Sequence, residues 1–268
     1  MSNPAEQLSS DALTTSTIAA LRATLETPGQ GTPALAHWTL FAPHAAHAEL
    51  GADGHPARGG FLPDFGLPRR MWAGGRLTFH APLPVGREIL RESRVADVSE
   101  KSGRSGRLAF VTVHHRLSAA GELLVTEEQD IVYREAATPG AAVVAGTPAP
   151  LDEAHRRRIT PDAVLLFRYS ALTFNGHRIH YDHPYATGVE GYPGLVVHGP
   201  LIASLLADLV AAHWPGTDLK RFTFKAVRPL FHIHAFDVCA KPDGDGRVAL
   251  WARDHQGMLA MQADAQIG

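Results

Sequence analysis

An apolar helical stripe followed by alternating strand patterns constrains the fold of this chain more than any other feature. One helical face carries apolar residues at positions 201, 202, 205, 206 and 209, and Pro200 suits the first helical position. Apolar and polar side chains then alternate over 222–226, 248–252 and 259–267, as in half-buried strands. Elements with one apolar face bury it against each other. The sequence therefore predicts an α+β layer in which an antiparallel sheet wraps a long helix.

The first half of the chain has a comparable series of strand patterns. A helix is predicted from Ser10 to Glu26, capped by Ser10 or Asp11, and strands are predicted over 76–79, 88–98, 108–117 and 123–134. Near the midpoint, residues 136–150 consist only of Ala, Thr, Pro, Gly and Val, as is typical of a linker. We therefore predict two tandem α+β units, 1–135 and 151–268, joined by the linker 136–150.

Composition and charge exclude several classes of protein. An apolar fraction of 45% with 19% charged residues supplies a core and argues against a disordered chain. The net charge of −2 argues against a broad nucleic-acid interface, and the single Cys239 excludes a disulfide framework or a cysteine-rich zinc module. The sequence has neither a membrane-length apolar stretch nor a secretory signal pattern. We expect a cytoplasmic protein without nucleic-acid or membrane partners, and a homodimer is left open.

Residues 169–186 concentrate polar side chains after a run that is typical of a strand. An amide, three imidazoles, a guanidinium and a carboxylate fall within nine positions, at Asn175, His177, Arg178, His180, Asp182 and His183. Irregular backbone beside rigid elements is a common place for catalytic groups. A solvated polar loop is one alternative. A metal site at the three histidines is another, but their spacing of three rotates them around a helix, and no cysteine accompanies them.

The start of the apolar helix is a second candidate site. His198-Gly199-Pro200 precedes the apolar stripe, and a helix N-terminus offers unpaired N–H groups to an oxyanion or a thioester carbonyl. Pro200 has no N–H, so Gly199 is the expected donor. An ordinary Gly-Pro helix start is the alternative.

These two segments resemble the motif of the MaoC-like hydratase and dehydratase family. In that family a Ser-Gly-Asp-x-Asn-Pro-x-His-x-Asp-Pro run is followed by His-Gly at the start of the central helix. His180 matches the catalytic His, Asn175 the catalytic Asp, and His198-Gly199 the His-Gly. The sequence departs from the family at Asn175, at His177 in place of Asn, and at Arg178 in place of Pro.

Residues 173–182 resemble one branch of this family, the 3-methylfumaryl-CoA (mesaconyl-C4-CoA) hydratases and related 3-hydroxyacyl-thioester dehydratases. Blocks in the first half also resemble that branch, at 53–56, 68–75, 101–106 and 127–135. The resemblance covers about residues 35–268. It implies a tandem (double) hotdog, each unit a long helix wrapped by an antiparallel sheet, with the catalytic motif in the second unit only. It also implies hydration or dehydration of an acyl-CoA, such as 3-methylfumaryl-CoA to citramalyl-CoA, with no cofactor.

Hydration of an enoyl thioester needs water at Cβ, a proton at Cα and stabilisation of the thioester oxygen. His180 is the expected general acid and base, because an ordinary histidine pKa of about 6.5 lies near working pH. Asn175 cannot carry a proton, so we expect it to orient water. Asp182 and Glu190 are fallback carboxylates. The Gly199 N–H, with His198, is expected to bind the thioester, and no metal is expected.

Arginines are candidates for the substrate's anionic groups. Arg178 could pair with a second substrate carboxylate. Arg69 and Arg70, with the run 156–158, could meet the CoA phosphates, although solvent-facing cations are the alternative in each case. His232 and His234 have strand spacing on one face but no clear third metal ligand.

Other functions share the expected fold. A hotdog thioesterase, a fatty-acid-type 3-hydroxyacyl-thioester dehydratase and a non-catalytic acyl-CoA-binding module are the alternatives. The Asn175-x4-His180 spacing and the His-Gly favour a lyase over a thioesterase, and a pure binder has no need of a proton shuttle.

Overall fold

Ten antiparallel strands form one sheet in the computed structural model, which describes residues 6–27, 31–57, 59–103, 106–135 and 146–268. In chain order the strands are β1 (Glu6–Ala12), β2 (Arg69–Phe79), β3 (Glu88–Gly103), β4 (Gly106–Ala119), β5 (Glu122–Arg134), β6 (His155–Ile159), β7 (Leu219–Ala226), β8 (Phe236–Pro242), β9 (Arg247–Arg253) and β10 (Leu259–Ile267). The helices are α1 (Thr15–Leu25), α2 (Ala163–Thr173), α3 (His183–Gly188) and α4 (Gly199–His213). Short 3-10 helices lie at Ala36–Thr39, His47–Glu49 and Arg178–His180.

Both halves of the sheet have the same internal strand order. Across the sheet the order is β1-β3-β4-β5-β2-β7-β10-β9-β8-β6, so each half runs first, third, fourth, fifth, second from its outer edge inward. The halves join where β2 pairs with β7, from Gly74 opposite Lys225 to Thr78 opposite Arg221. This repeat confirms the predicted α+β double hotdog. The unit boundaries 1–135 and 151–268 stay a prediction, and residues 136–145 of the predicted linker lie outside the described residues.

Helix α4 is the central helix of the second half. It packs against all five strands from β6 to β10, and every residue from Leu201 to Val210 is buried. The predicted stripe is therefore correct, but burial extends around the helix because other elements cover its remaining faces. No helix in the described part of the chain is long and apolar enough to cross a membrane.

The first half has no counterpart of α4 within the described residues. Between α1 and β2 the described backbone forms only the two short 3-10 helices at Ala36–Thr39 and His47–Glu49. Proline, glycine and histidine are frequent from 38 to 68, and proline and glycine disfavour a long helix. The expectation of a long helix in each unit therefore holds only for the second.

The N-terminal helix was predicted too early in the chain. Residues 6–12 form β1, which pairs with the edge of β3, and α1 begins at Thr15 with Thr14 as its cap. Asp11 does not cap the helix but accepts the N–H groups of Ala12 and Phe41. Strand pairing with β3 thus outweighs the local helix signal, because it satisfies the backbone of the whole segment.

The run before Tyr169, interpreted as a strand, is helix α2. The Asp162 side chain caps it by accepting the Leu165 N–H at 2.7 Å. A short apolar run has no periodicity that separates a buried strand from a buried helix. The same ambiguity hid β8, whose residues Phe236–Ala240 are buried in succession and so do not alternate. The strand β6 was also missed, because its centre is a run of three arginines.

Candidate active site

The polar segment of the second half folds as a tight turn after α2. Phe174 ends the helix in the left-handed region at φ 49°, and the Asn175 N–H donates to Ser170 O at 2.8 Å. The Asn175 Oδ1 accepts the His177 N–H at 3.0 Å, which closes the turn. A 3-10 helix at Arg178–His180 follows and presents the His180 imidazole.

His180 is held in one tautomer. Its Nδ1 lies 2.7 Å from Val196 O, an acceptor, so Nδ1 carries the proton and Nε2 is left as a base. The side chain is only 7% exposed. Burial, with a contribution from His177, lowers the pKa of His180 to about 3. The imidazole is therefore neutral at working pH, whereas the sequence alone indicated an ordinary histidine pKa.

A second imidazole lies directly behind the first. The His198 ring stacks on His180 with centroids 3.7 Å apart, and its Nε2 is 2.8 Å from Ser170 Oγ. His198 is fully buried, and burial holds its pKa well below the usual range. His198 has no exposed surface and contacts His180 and Ser170, and its predicted role in substrate binding stays a prediction. It positions His180, and Ser170, which the sequence did not single out, orients His198.

Gly199 lies where the sequence predicted it, at the first position of α4. The segment from 195 to 197 leads into it and is fixed on both sides, since the Val196 N–H donates to Ile179 O and the Val197 N–H to Leu230 O. The N-terminus of this 15-residue helix directs N–H groups and the positive end of the helix dipole outward. A Cβ at Gly199 would meet only Trp72 O, at 3.8 Å, so packing alone does not require glycine here.

The turn and the start of α4 line a cavity of about 1000 Å³ between the two halves. The second half contributes Ser170, Asn175 and Pro200 to its wall. The first half contributes a larger part, including Trp38, Phe41, Arg70, Trp72, Arg91, Gln129 and Tyr133. The cavity therefore belongs to both halves, and Asn175 lines it, whereas His180 and Gly199 lie beside it and are not among its described lining residues.

A loop of the first half covers the motif turn. The Arg178 N–H donates to Asp53 O at 2.9 Å, and the His55 and His177 rings are 4.4 Å apart. Gly54 has φ 85° and lies so close to Gly176 that a Cβ would overlap the Gly176 carbonyl oxygen. Residues 53–56, one of the blocks behind the family resemblance, therefore contact the catalytic turn directly.

Arg178 and Asp182 are engaged with each other. The Arg178 Nε and Nη2 donate to Asp182 Oδ2 at 2.9 and 2.7 Å, and Nη1 donates to Ala52 O. Asp182 also caps α3 by accepting the Tyr185 N–H. Arg178 and Asp182 thus form an ion pair, and their predicted roles as a ligand of a substrate carboxylate and as a fallback proton carrier stay predictions.

The arginines that were expected to meet the CoA phosphates have different partners. Arg69 forms an ion pair with Glu190 at 3.0 Å, and substrate binding by Arg69 stays a prediction. Arg70 lines the cavity and stays a candidate for a substrate anion. In the run 156–158 each arginine faces a carboxylate, and the shortest pair joins Arg157 to Asp208 at 3.1 Å. Arg156 and Arg158 remain more than half exposed, so a contact of this run with the CoA phosphates stays a prediction.

The histidine clusters do not form a metal centre within the described residues. No group of three or more His, Cys, Asp or Glu side chains there could hold a metal ion. His180 and His198 use ring nitrogens in hydrogen bonds, and His232 Nδ1 accepts the Leu195 N–H at 3.0 Å.

A double hotdog with a neutral, buried histidine beside a helix N-terminus defines a class of acid–base enzyme that acts on thioesters. The family model for hydroxyacyl-thioester dehydratase type 2 matches residues 35–232. The chain belongs to this family. It is therefore a lyase that adds or removes water across the double bond of an acyl thioester.

The chain is also similar to individual hydratases and dehydratases. The chain is 48% identical to mesaconyl-C(4)-CoA hydratase of Chloroflexus aurantiacus, over 98% of this chain and 95% of the relative. It is 27% identical to mitochondrial hydroxyacyl-thioester dehydratase type 2 of Schizosaccharomyces pombe, over 78% and 77% of the two chains. Its fold matches that of a MaoC-like dehydratase from Phytophthora capsici with a TM-score of 0.70 at 12% identity, over 99% and 96%.

Proposed function

We propose that this protein hydrates an α,β-unsaturated dicarboxylyl-CoA of the 3-methylfumaryl type to the 3-hydroxyacyl-CoA. The observation that carries the chemistry is the His180 tautomer. Its Nδ1–H donates a hydrogen bond to Val196 O, so Nε2 has a free lone pair and can act as a base. The substrate class is supported by the 48% identity to a mesaconyl-C(4)-CoA hydratase over nearly the whole chain. The reverse dehydration uses the same groups.

In the proposed reaction, His180 shuttles one proton. Its Nε2 removes a proton from water as the oxygen adds to Cβ, and the resulting imidazolium returns that proton to Cα. Atoms balance, because one water is consumed and no other reactant is needed. The Asn175 Oδ1, which accepts the His177 N–H, keeps a second lone pair for the water.

The negative charge that develops on the thioester oxygen needs a fixed partner. We propose the Gly199 N–H, the first N–H of α4, where the helix dipole adds to the hydrogen bond. A donor held in position before the reaction stabilises developing charge without reorganising. This assignment makes the start of α4 a catalytic element as well as a structural one.

An absorbance assay of the enoyl thioester over a panel of CoA esters tests the proposal. The panel contains 3-methylfumaryl-CoA, fumaryl-CoA and the neutral crotonyl-CoA, and we expect the highest kcat/KM for a dicarboxylyl ester. Release of free CoA thiol, measured in parallel, would indicate a thioesterase instead. Binding without loss of either signal would indicate a non-catalytic module, and a preference for long neutral acyl chains would indicate a fatty-acid-type dehydratase.

A further inference from the structure

The wall of the cavity carries two arginines, Arg70 and Arg91, and no carboxylate among the described lining residues. A cavity with this charge favours an anionic ligand. Arg70 lies on β2 and Arg91 on β3.

Arg91 is a cation without a partner among the described residues. Its Nε is buried and has no hydrogen-bond acceptor, and its guanidinium lies over the Phe41 ring, 4.5 Å from the centroid. Burial lowers the pKa of Arg91 from its usual value. A buried donor on a charged group is costly to leave unsatisfied. Arg91 lines the cavity and forms no ion pair among the described residues, so a ligand in the cavity could supply an acceptor to the accessible part of its guanidinium.

The two carboxylates that act electrostatically on Arg91, Glu127 and Asp11, form hydrogen bonds with other groups. Glu127 accepts from Trp38 Nε1 at 2.9 Å and from Gln129 Nε2 at 3.0 Å, and it lies 3.1 Å from His37 Nε2. Asp11 accepts two backbone N–H groups. These carboxylates raise the pKa of Arg91 through space but form no ion pair with it. Arg69 and Arg178, by contrast, each have a carboxylate partner.

We propose that Arg91 binds the distal carboxylate of the dicarboxylyl-CoA substrate and so determines its selectivity. The inference rests on the proposed function, and it replaces Arg178 in the role that the sequence suggested. A guanidinium matches a carboxylate through two parallel hydrogen bonds. The aromatic and apolar neighbours Trp38, Leu40 and Phe41 form a wall suited to the short acyl chain that leads to this carboxylate.

The CoA phosphates are the other anionic groups of the same substrate. We favour the acyl carboxylate because Arg91 Nε is buried, whereas a phosphate keeps most of its oxygens in water. Free CoA separates the two sources, since it contains the phosphates and no acyl carboxylate.

The experiment measures dissociation constants by calorimetry for two freshly prepared, saturated four-carbon thioesters, which have no double bond to hydrate. Succinyl-CoA has the distal carboxylate and butyryl-CoA does not. The wild-type protein should bind succinyl-CoA at least about 10-fold more tightly, as expected for a charge-assisted hydrogen-bonded pair. Arg91→Gln should weaken succinyl-CoA about 10- to 100-fold and remove the preference, while the affinity for free CoA stays unchanged.

A control variant and the wild-type protein are measured with the same ligands. Arg94→Gln removes an exposed cation from the same strand and should keep the wild-type preference. Equal affinity of the wild-type protein for the two thioesters would overturn the proposal even if Arg91→Gln fails to fold. A loss of free CoA binding in Arg91→Gln would also overturn it, in favour of a phosphate contact. A preference for succinyl-CoA that Arg91→Gln abolishes, without any hydration, would refute the proposed reaction but support Arg91 as the carboxylate site, whereas a preference that Arg91→Gln retains would overturn the assignment to Arg91.

Discussion

The smallest unit that carries the proposed chemistry is the stacked pair His180 and His198. One imidazole is oriented by Val196 O and the other by Ser170 Oγ, so neither ring is free to rotate. Positioned groups of this kind do not reorganise during the reaction, which is the main source of their effect.

Removing the imidazole of His180 tests its role as the sole proton carrier. His180→Ala should lower kcat about 10²- to 10⁴-fold, the contribution of a positioned general acid or base. His183→Ala is the matched control, because that histidine is exposed three residues further on, and it should keep near-normal turnover. Steady-state kinetics measure both. Near-normal turnover of His180→Ala would refute the assignment.

Asn175 separates water orientation from proton transfer. Asn175→Ala should lower kcat less than His180→Ala does, because it removes an oxygen that orients water but leaves the base. Asn175→Asp keeps the acceptor for the His177 N–H and adds a titratable group. We expect the kcat/KM profile of the wild type to lack an acid limb near pH ~6.5, since the pKa of His180 is about 3, and that of Asn175→Asp to show a new ionisation. Identical profiles would contradict this expectation.

The buried histidines also predict how stability depends on pH. Burial lowers the pKa of His180 to about 3 and that of His115 to about 4. The unfolded chain takes up protons below about pH 6.5 and the folded chain does not, so the free energy of unfolding falls as pH drops from about 6.5 toward 4. Each such group contributes up to about 1.4 kcal/mol per pH unit there. Calorimetric Tm values should therefore decrease between about pH 7 and pH 5.

His115 tests this dependence separately from His180, because it lies outside the motif and its Nδ1 is 2.8 Å from Ser93 Oγ. His115→Gln should make the decrease of Tm with acid shallower. His183→Ala, at an exposed position, should leave the slope unchanged. A Tm that does not vary over this pH range would contradict neutral burial of these side chains.

At the scale of elements, the first-half loop 51–57 holds the catalytic turn in place. Gly54→Ala introduces a side chain at φ 85° and against the Gly176 carbonyl. Either effect displaces the loop, so kcat/KM should fall, while Tm changes by only a few degrees because the loop is not part of the core. Gly188→Ala is the control, since a Cβ there meets nothing within 4 Å. Normal kcat/KM in a folded Gly54→Ala protein would show that the contact is dispensable.

At the scale of the whole molecule, the two halves are joined at the β2–β7 pair. A Cβ at Gly74 would lie 2.7 Å from Phe224 O, so the two central strands would have to separate. Gly74→Ala should therefore destabilise the protein by about 1–3 kcal/mol, as overpacking does in cores. Chemical denaturation, with Gly188→Ala as reference, measures the change, and an unaltered midpoint would contradict the close approach.

A homodimer, which the sequence left open, and the expected cytoplasmic location stay predictions.

Much of the fold and of the motif followed from local sequence patterns. Alternation identified β9, β10 and most of the first-half strands, because each has one buried face. The patterns failed for β1, β6, β8 and α2. Edge pairing, a run of charged residues and burial on both faces each remove the periodic signal on which such predictions depend.

The sequence by itself determined the class of enzyme and the positions of His180, Asn175 and Gly199, because these lie in short segments whose order and spacing are local. Tertiary structure alone decided which charged groups are available. Arg178 is paired with Asp182, Arg69 with Glu190, and Arg91 has no such partner among the described residues. It also decided that His180 is neutral, since a pKa depends on burial and neighbours from distant parts of the chain. The Arg178–Asp182 pair is local, four residues apart, but the Arg69–Glu190 pair and the desolvation of His180 join distant segments, so no local pattern encodes them.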